Sequence, residues 1–328
     1  MIDNHPISCK SLERYYHVNG KLLEEQYAVH LSDFTTWDQA EHSEQYVLFP
    51  NNIGDYLTLD ETSLSQGELY TIITNKQAKG SKGSIVAIIK GTDSSTINAI
   101  LHKIPQPKRD RVKEISLDMA NSMQKIASSS FPKATQVTDR FHVQKLAYDA
   151  VQQLRIKYRW EAIEQENKEI ELAKEQKVKF ISERLENGDS PKQLLARSRY
   201  LLFKSKDKWT PKQIHRAEIL FKRYPLLEQA YLLARKLVYI YQHTKDKAVG
   251  YTKLAQWYDE VEKSGIKSFK TIKKTIHNHY ETILNFFERR YTNASAESFN
   301  AKIKAFRSQF RGVRNVKFFL YRLTKIYD

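Results

Sequence analysis

"DYLTLDETSLSQGELYTIITNKQAKGSKGSIVAIIKG", residues 55–91, decides the fold of this chain. Its first run, Asp55–Leu64, alternates, with Leu57 and Leu59 on one face and Tyr56, Thr58 and Asp60 on the other. A period of two marks a strand with one face against a core. GELYTIIT (Gly67–Thr74) follows after a short turn. SIVAIIKG (Ser84–Gly91) comes after NKQAKGSKG, whose glycines and polar residues read as a hairpin loop. Connections this short join antiparallel neighbours, so the stretch predicts a three-stranded meander.

Downstream the pattern changes. TDSSTINAILHKI predicts a helix opened by Asp93 or a neighbouring serine. RVKEISLD (Arg111–Asp118) predicts a fourth strand, MANSMQKIASSSF a helix, KATQVTD (Lys133–Asp139) a fifth strand and RFHVQKLAYDAVQQLRIKY a long helix. Helical crossovers join parallel strands. The expected fold class is therefore α/β, a mixed five-stranded sheet of three antiparallel strands plus two added parallel.

From Trp160 to Phe287 no run reads as a strand. RWEAIEQENKEIELAKEQKVKFISERLENG is charge-rich and reads as helical up to Gly188. Ser190-Pro191 and Thr210-Pro211 put proline just inside a helix start, where its missing N–H costs nothing. A large all-helical insertion thus interrupts the sheet. Its aromatics, Trp160, Trp209 and Trp257 among them, are assigned to core packing rather than to stacking on unpaired bases. The expected boundaries are a short acidic segment at 1–54, the first part of the core at 55–155, the insertion at 156–287 and a closing basic helix at 288–328.

Charge narrows the function. The chain of 328 residues carries a formal net charge of +16, with 41% hydrophobic and 28% charged residues, the balance of a globular protein. Residues 1–50 are acidic at a net −5, so the remainder carries +21. A field this basic points to a polyanion, nucleic acid before anionic membrane. Cys9 is the single cysteine, which excludes an internal disulfide and a cysteine-based zinc finger. No stretch approaches the ~18 apolar residues of a membrane span, and MIDNHPISCKSL lacks a signal-peptide layout. The expected location is the cytoplasm, with no membrane partner.

Three acids stand out. Asp60 and Asp118 close the runs LTLD and EISLD, and functional groups in α/β sheets gather at carboxyl ends of strands. Asp is also common simply as a turn residue. The third is Glu297, within YTNASAESFNAKIKAFRSQFRGVRNVKFFLYRL (291–323). On a helix turning ~100° per residue, Phe299, Ile303, Phe306 and Phe310 form an apolar stripe. Glu297, Asn300, Lys304, Arg307 and Arg311 form a polar one. Docking the first stripe on the sheet leaves the second free. Three carboxylates in a basic protein suit divalent cations held against a phosphate backbone, since hard Mg²⁺ or Mn²⁺ takes oxygen ligands.

At these residues a family emerges. YLTLDETSL…GELYTIIT, EISLDMANSM, FPKATQVTDRFHVQKLAYDAV and NASAESFNAKIKAFRSQFRGVRNVKFFLYRL resemble blocks of bacterial insertion-sequence transposases of the DDE type, in the ISL-three-like group. The resemblance runs from about Asp55 to Leu323 and implies an RNase H-like catalytic core. It puts the family's catalytic, metal-binding acids on Asp60, Asp118 and Glu297, with two Mg²⁺ (or Mn²⁺) ions per site. Lys304, Arg307, Arg311 and Arg314, with Asn300, are the expected DNA contacts, and Asp139 and His142 of the DRFH block are supporting residues.

The activity implied is metal-dependent phosphodiester hydrolysis at transposon ends followed by strand transfer into target DNA, by a bacterial, nucleoid-associated protein acting as a dimer on double-stranded DNA. The alternatives are an RNase H-like nuclease or resolvase, and an inactive DNA-binding regulator descended from a transposase. One departure matters. Such relatives usually begin with a cysteine-rich, helix-turn-helix segment, whereas here the first ~50 residues are acidic and suit DNA poorly. End recognition is therefore expected from a companion protein.

Overall fold

The computed structural model describes the backbone of residues 2–65, 67–289, 294–310 and 313–328, and the side chains of these except 65, 289 and 294–297. The chain divides into two compact units, one formed by Met1–Asp139 with Tyr291–Asp328 and the other by Arg140–Arg290.

The first unit begins with helices α1 (Cys9–Tyr16) and α2 (Gly20–Gln26), capped by the side chains of Ser8 and Asn19. Cys9 is buried, and burial pushes its thiol up to about 11. The sheet follows in the order β1 (Tyr46–Leu48), β2 (Tyr56–Ser65), β3 (Glu68–Asn75), β4 (Ile85–Lys90), β5 (Glu114–Leu117) and β6 (Thr135–Thr138). In space the strands run β1-β4-β3-β2-β5-β6. β1 to β4 and the β4-β3-β2 meander pair antiparallel, while β2, β5 and β6 pair parallel. The sheet thus has six strands rather than the five read from sequence. The extra strand, β1, is a three-residue edge strand, too short to show an alternation.

Helices α3 (Ser94–Leu101), α4 (Gln106–Arg109) and α5 (Asn121–Ser130) fill the crossovers to β5 and β6. Asp93 caps α3, its carboxylate accepting from the Thr96 amide, as the sequence predicts. Leu57, Leu59, Ile115 and Leu117 form one face of the sheet, packed with Ile97, Leu101, Met123 and Ile126 of α3 and α5.

The regular elements among the described residues of the second unit are all helices: α6 (Arg140–Glu175), α7 (Pro191–Arg197), α8 (Pro211–Arg223), α9 (Pro225–His243), α10 (Lys247–Ser264), α11 (Lys267–Asn278) and α12 (Tyr280–Arg289), with short 3-10 turns and an irregular stretch over 176–190. Thr210 opens α8 as a reciprocal capping box with Gln213, and at the start of α7 Gln193 Oε1 accepts from the Ser190 amide. Helix α6 packs against α7, α9 and α11, so the division falls at 139/140, and the sequence boundary at 155/156 cuts through this helix.

Two further expectations change. The charge-rich helix stops at Glu175 rather than Gly188, with Lys177 in a left-handed conformation (φ 56°) just beyond. Trp160 is 59% exposed on α6, whereas Trp257 is fully buried and Trp209 packs with Phe221 and Tyr231. Among the described residues no helix is long and apolar enough to cross a membrane.

Back in the first unit, α13 (Ala294–Gln309) and α14 (Val316–Tyr327) cover the second face of the sheet. Phe299, Ile303 and Phe306 of α13 and Phe319, Leu320 and Leu323 of α14 are buried against Leu64, Tyr70, Ile72, Ile85 and Ile88, with Phe310 packed at the margin. The apolar stripe docks as read.

Candidate active site

The register of the parallel strands places the acids. Thr58 of β2 pairs with Ser116 of β5, so two residues further on Asp60 comes level with Asp118. Leu117 pairs with Thr138 of β6, which brings Asp118 level with Asp139. Parallel neighbours lie ~4.8 Å apart, so three aspartates cross the sheet in one row. Asp118 follows the last residue of β5, as expected. Asp60 instead lies inside β2, which runs on to Ser65.

The carboxylates of Asp60 and Asp118 are held by hydrogen bonds. Asp60 Oδ1 accepts from the Glu61 amide at 2.8 Å and Oδ2 from Asn300 Nδ2 at 2.5 Å. Asp118 Oδ1 accepts from the Ala120 amide at 2.7 Å, the local bond through which Asp shapes a turn. Asp139 is buried, and its amide donates to the Leu117 carbonyl at 2.9 Å. Burial raises the Glu61 carboxyl above its usual range, and the negative charges of Asp118 and Asp60 push it the same way.

Nearer the start of β5, on the same face as Asp118, lies a pair that sequence reasoning missed. Lys76 Nζ donates to Glu114 Oε1 at 3.0 Å and to Ser116 Oγ. The side chains of Lys76 and Glu114 are only 8% and 0% exposed. Burial holds the Lys76 ammonium below its usual range, with Glu114 and then Asp139 opposing that shift. The signal was present in EISL: Glu114 and Ser116 alternate with the core residues Ile115 and Leu117, so a strand covered on both faces requires a partner for Glu114.

Helix α13 is fixed to β2 at two points. Asn300 bonds Asp60, and Arg307 Nη1 donates to the Ser63 carbonyl at 2.8 Å. Seven helical residues rise ~10.5 Å and three strand residues ~10 Å, so the helix runs along the strand. Lys302 Nζ adds a bond to the Gly80 carbonyl at 2.7 Å. Glu297 lies on α13 three residues before Asn300; its side chain is outside the described residues. Lys304 and Arg314 are exposed, and Arg311 is outside the described residues. His142 lies in the second unit, near the start of α6. Among the described residues no three His, Cys, Asp or Glu side chains form a group that could hold a metal ion.

These features define a mixed α/β protein with a row of aspartates across its sheet and a basic helix laid over the same face. A family model described as "Transposase", of the ISL3 DDE type, matches residues 57–323, and the chain belongs to that family. A curated relative is the transposase for insertion sequence element IS1001 of Bordetella parapertussis, 22% identical over 273 residues. That match covers 82% of this chain and 60% of the relative, so the chain spans about 60% of that protein's length.

Proposed function

We propose that this chain is a DNA transposase with an RNase H-like core, built from the two stretches of the first unit and interrupted by the helical second unit. Asp60, Asp118 and Glu297 are its catalytic acids and hold divalent cations, Mg²⁺ or Mn²⁺, two per site. The observation that carries this reading is the parallel pairing of Thr58 with Ser116, each two residues before one of the aspartates, with Asn300 bonding α13 to Asp60 itself.

The residues present fit such ions. The donors are hard carboxylate oxygens, and burial raises the Glu61 carboxyl beside them, with Asp118 and Asp60 adding to the shift. When bound, two such ions neutralise charge on a phosphodiester and ease loss of a proton from the attacking group. The chain's own part is to fix the carboxylates on the sheet and in the first turns of α13. Lys304, Arg307, Arg311 and Arg314, on or just beyond the same helix, supply positive charge for the DNA backbone. Hydrolysis at a transposon end would free a 3′-hydroxyl, whose attack on target DNA joins the two. Two ends must be held together, so a dimer on double-stranded DNA is part of the proposal.

The test is Asp118→Ala assayed with Mg²⁺ on a terminal-repeat duplex and, separately, on pre-cleaved ends. Both nicking and joining should be lost, with DNA affinity in EDTA retained. Retained nicking would refute the assignment of Asp118. A wild-type protein that nicks but never joins pre-cleaved ends would be a nuclease instead.

A further inference from the structure

Asn300 falls on the polar stripe that sequence alone assigns to DNA, but its side chain is spent on Asp60 Oδ2 at 2.5 Å. An ionised carboxylate can only accept, so the amide must present its N–H to Asp60. The other oxygen is already tied to the Glu61 amide. Between them, a backbone N–H and a neutral side-chain N–H fix the plane of the carboxylate. Neutrality is the informative feature. A lysine or arginine at residue 300 would also orient Asp60, but would cancel its charge and compete with any cation, whereas an amide leaves the full negative charge in place. The Arg307–Ser63 bond two turns later fixes the axial position of the helix, so the amide cannot slide away from its partner.

We infer that Asn300 is a positioning residue: its amide orients the Asp60 carboxylate for a divalent cation and ties the helix bearing Glu297 to β2 at that carboxylate. The inference rests on the proposed role of Asp60 as a cation ligand. Partners that orient metal ligands typically contribute 10–100-fold to metal affinity.

Mn²⁺ binding by the full chain, followed by electron paramagnetic resonance, tests it without reference to turnover, using Asp60→Asn, Asn300→Ala and the near-isosteric Asn300→Leu. DNA affinity in EDTA is measured alongside. Asp60→Asn should abolish tight Mn²⁺ binding. Both Asn300 variants should weaken it about tenfold or more and leave metal-free DNA affinity unchanged. Wild-type Mn²⁺ affinity in a folded Asn300 variant, beside loss in Asp60→Asn, overturns the inference and spares the reading of Asp60. Wild-type Mn²⁺ affinity in Asp60→Asn overturns both. Weakened DNA affinity with unchanged Mn²⁺ affinity would make Asn300 a DNA contact and overturn the inference. Should Asn300→Ala fail to fold, Asn300→Leu, which keeps the side-chain volume, decides.

Discussion

Asp60 and Asp118 stand out one residue at a time, because each ends an apolar alternation in the sequence, although β2 runs on past Asp60 to Ser65. Lys76 and Glu114 do not. A lone charge in an alternating strand reads as solvent-facing until the elements above it are known, and here both are buried. Removing one partner of such a pair leaves the other charge uncompensated, which typically costs about 3–5 kcal/mol. Lys76→Met should therefore destabilise the first unit by about that amount in urea unfolding. Adding Glu114→Leu to it should recover much of the loss, since an apolar pair of similar volume is tolerated. A Lys76→Met protein as stable as wild type would show that the pair contributes nothing.

Elements were legible where periodicity was long and unbroken. The stripe of Phe299, Ile303 and Phe306 gave the buried face of α13 directly, and the serine- and threonine-proline pairs marked the starts of α7 and α8. What sequence could not show was where regular patterns stop. A charged run such as residues 160–188 stays compatible with helix to its end, because no apolar position reports the loss of packing after Glu175. The break between α8 and α9 has a local cause: Pro225 keeps Tyr224 out of the helical region, at φ −128° and ψ 71°. Gly250 of α10 shows how closely helices of the second unit approach, for a Cβ there would lie 2.6 Å from the Phe287 ring of α12. That ring is fully buried. Gly250→Ala should cost about 1–3 kcal/mol by overpacking, despite alanine's better helix propensity. An unchanged or raised melting temperature would contradict the contact.

On the scale of the whole molecule, the alternation of strand and helix patterns was enough to announce an α/β sheet interrupted by helices, whereas the point of interruption was hidden inside a continuous helix. The second unit is contiguous, from Arg140 to Arg290, and buries its own core around Trp257, Tyr231, Tyr241 and Phe287. Expressed alone, residues 140–290 should fold as a helical domain with a cooperative thermal transition by circular dichroism; a non-cooperative melt would show that it depends on the rest of the chain. The first unit has no such independence, because its sheet comes from residues before 140 and the helices over one face come from residues after 290. On a ribosome, the strands bearing Asp60 and Asp118 emerge long before the segment that carries Glu297. A nascent polypeptide whose synthesis aborts midway would thus display an unroofed sheet, its apolar second face open to water or to another chain.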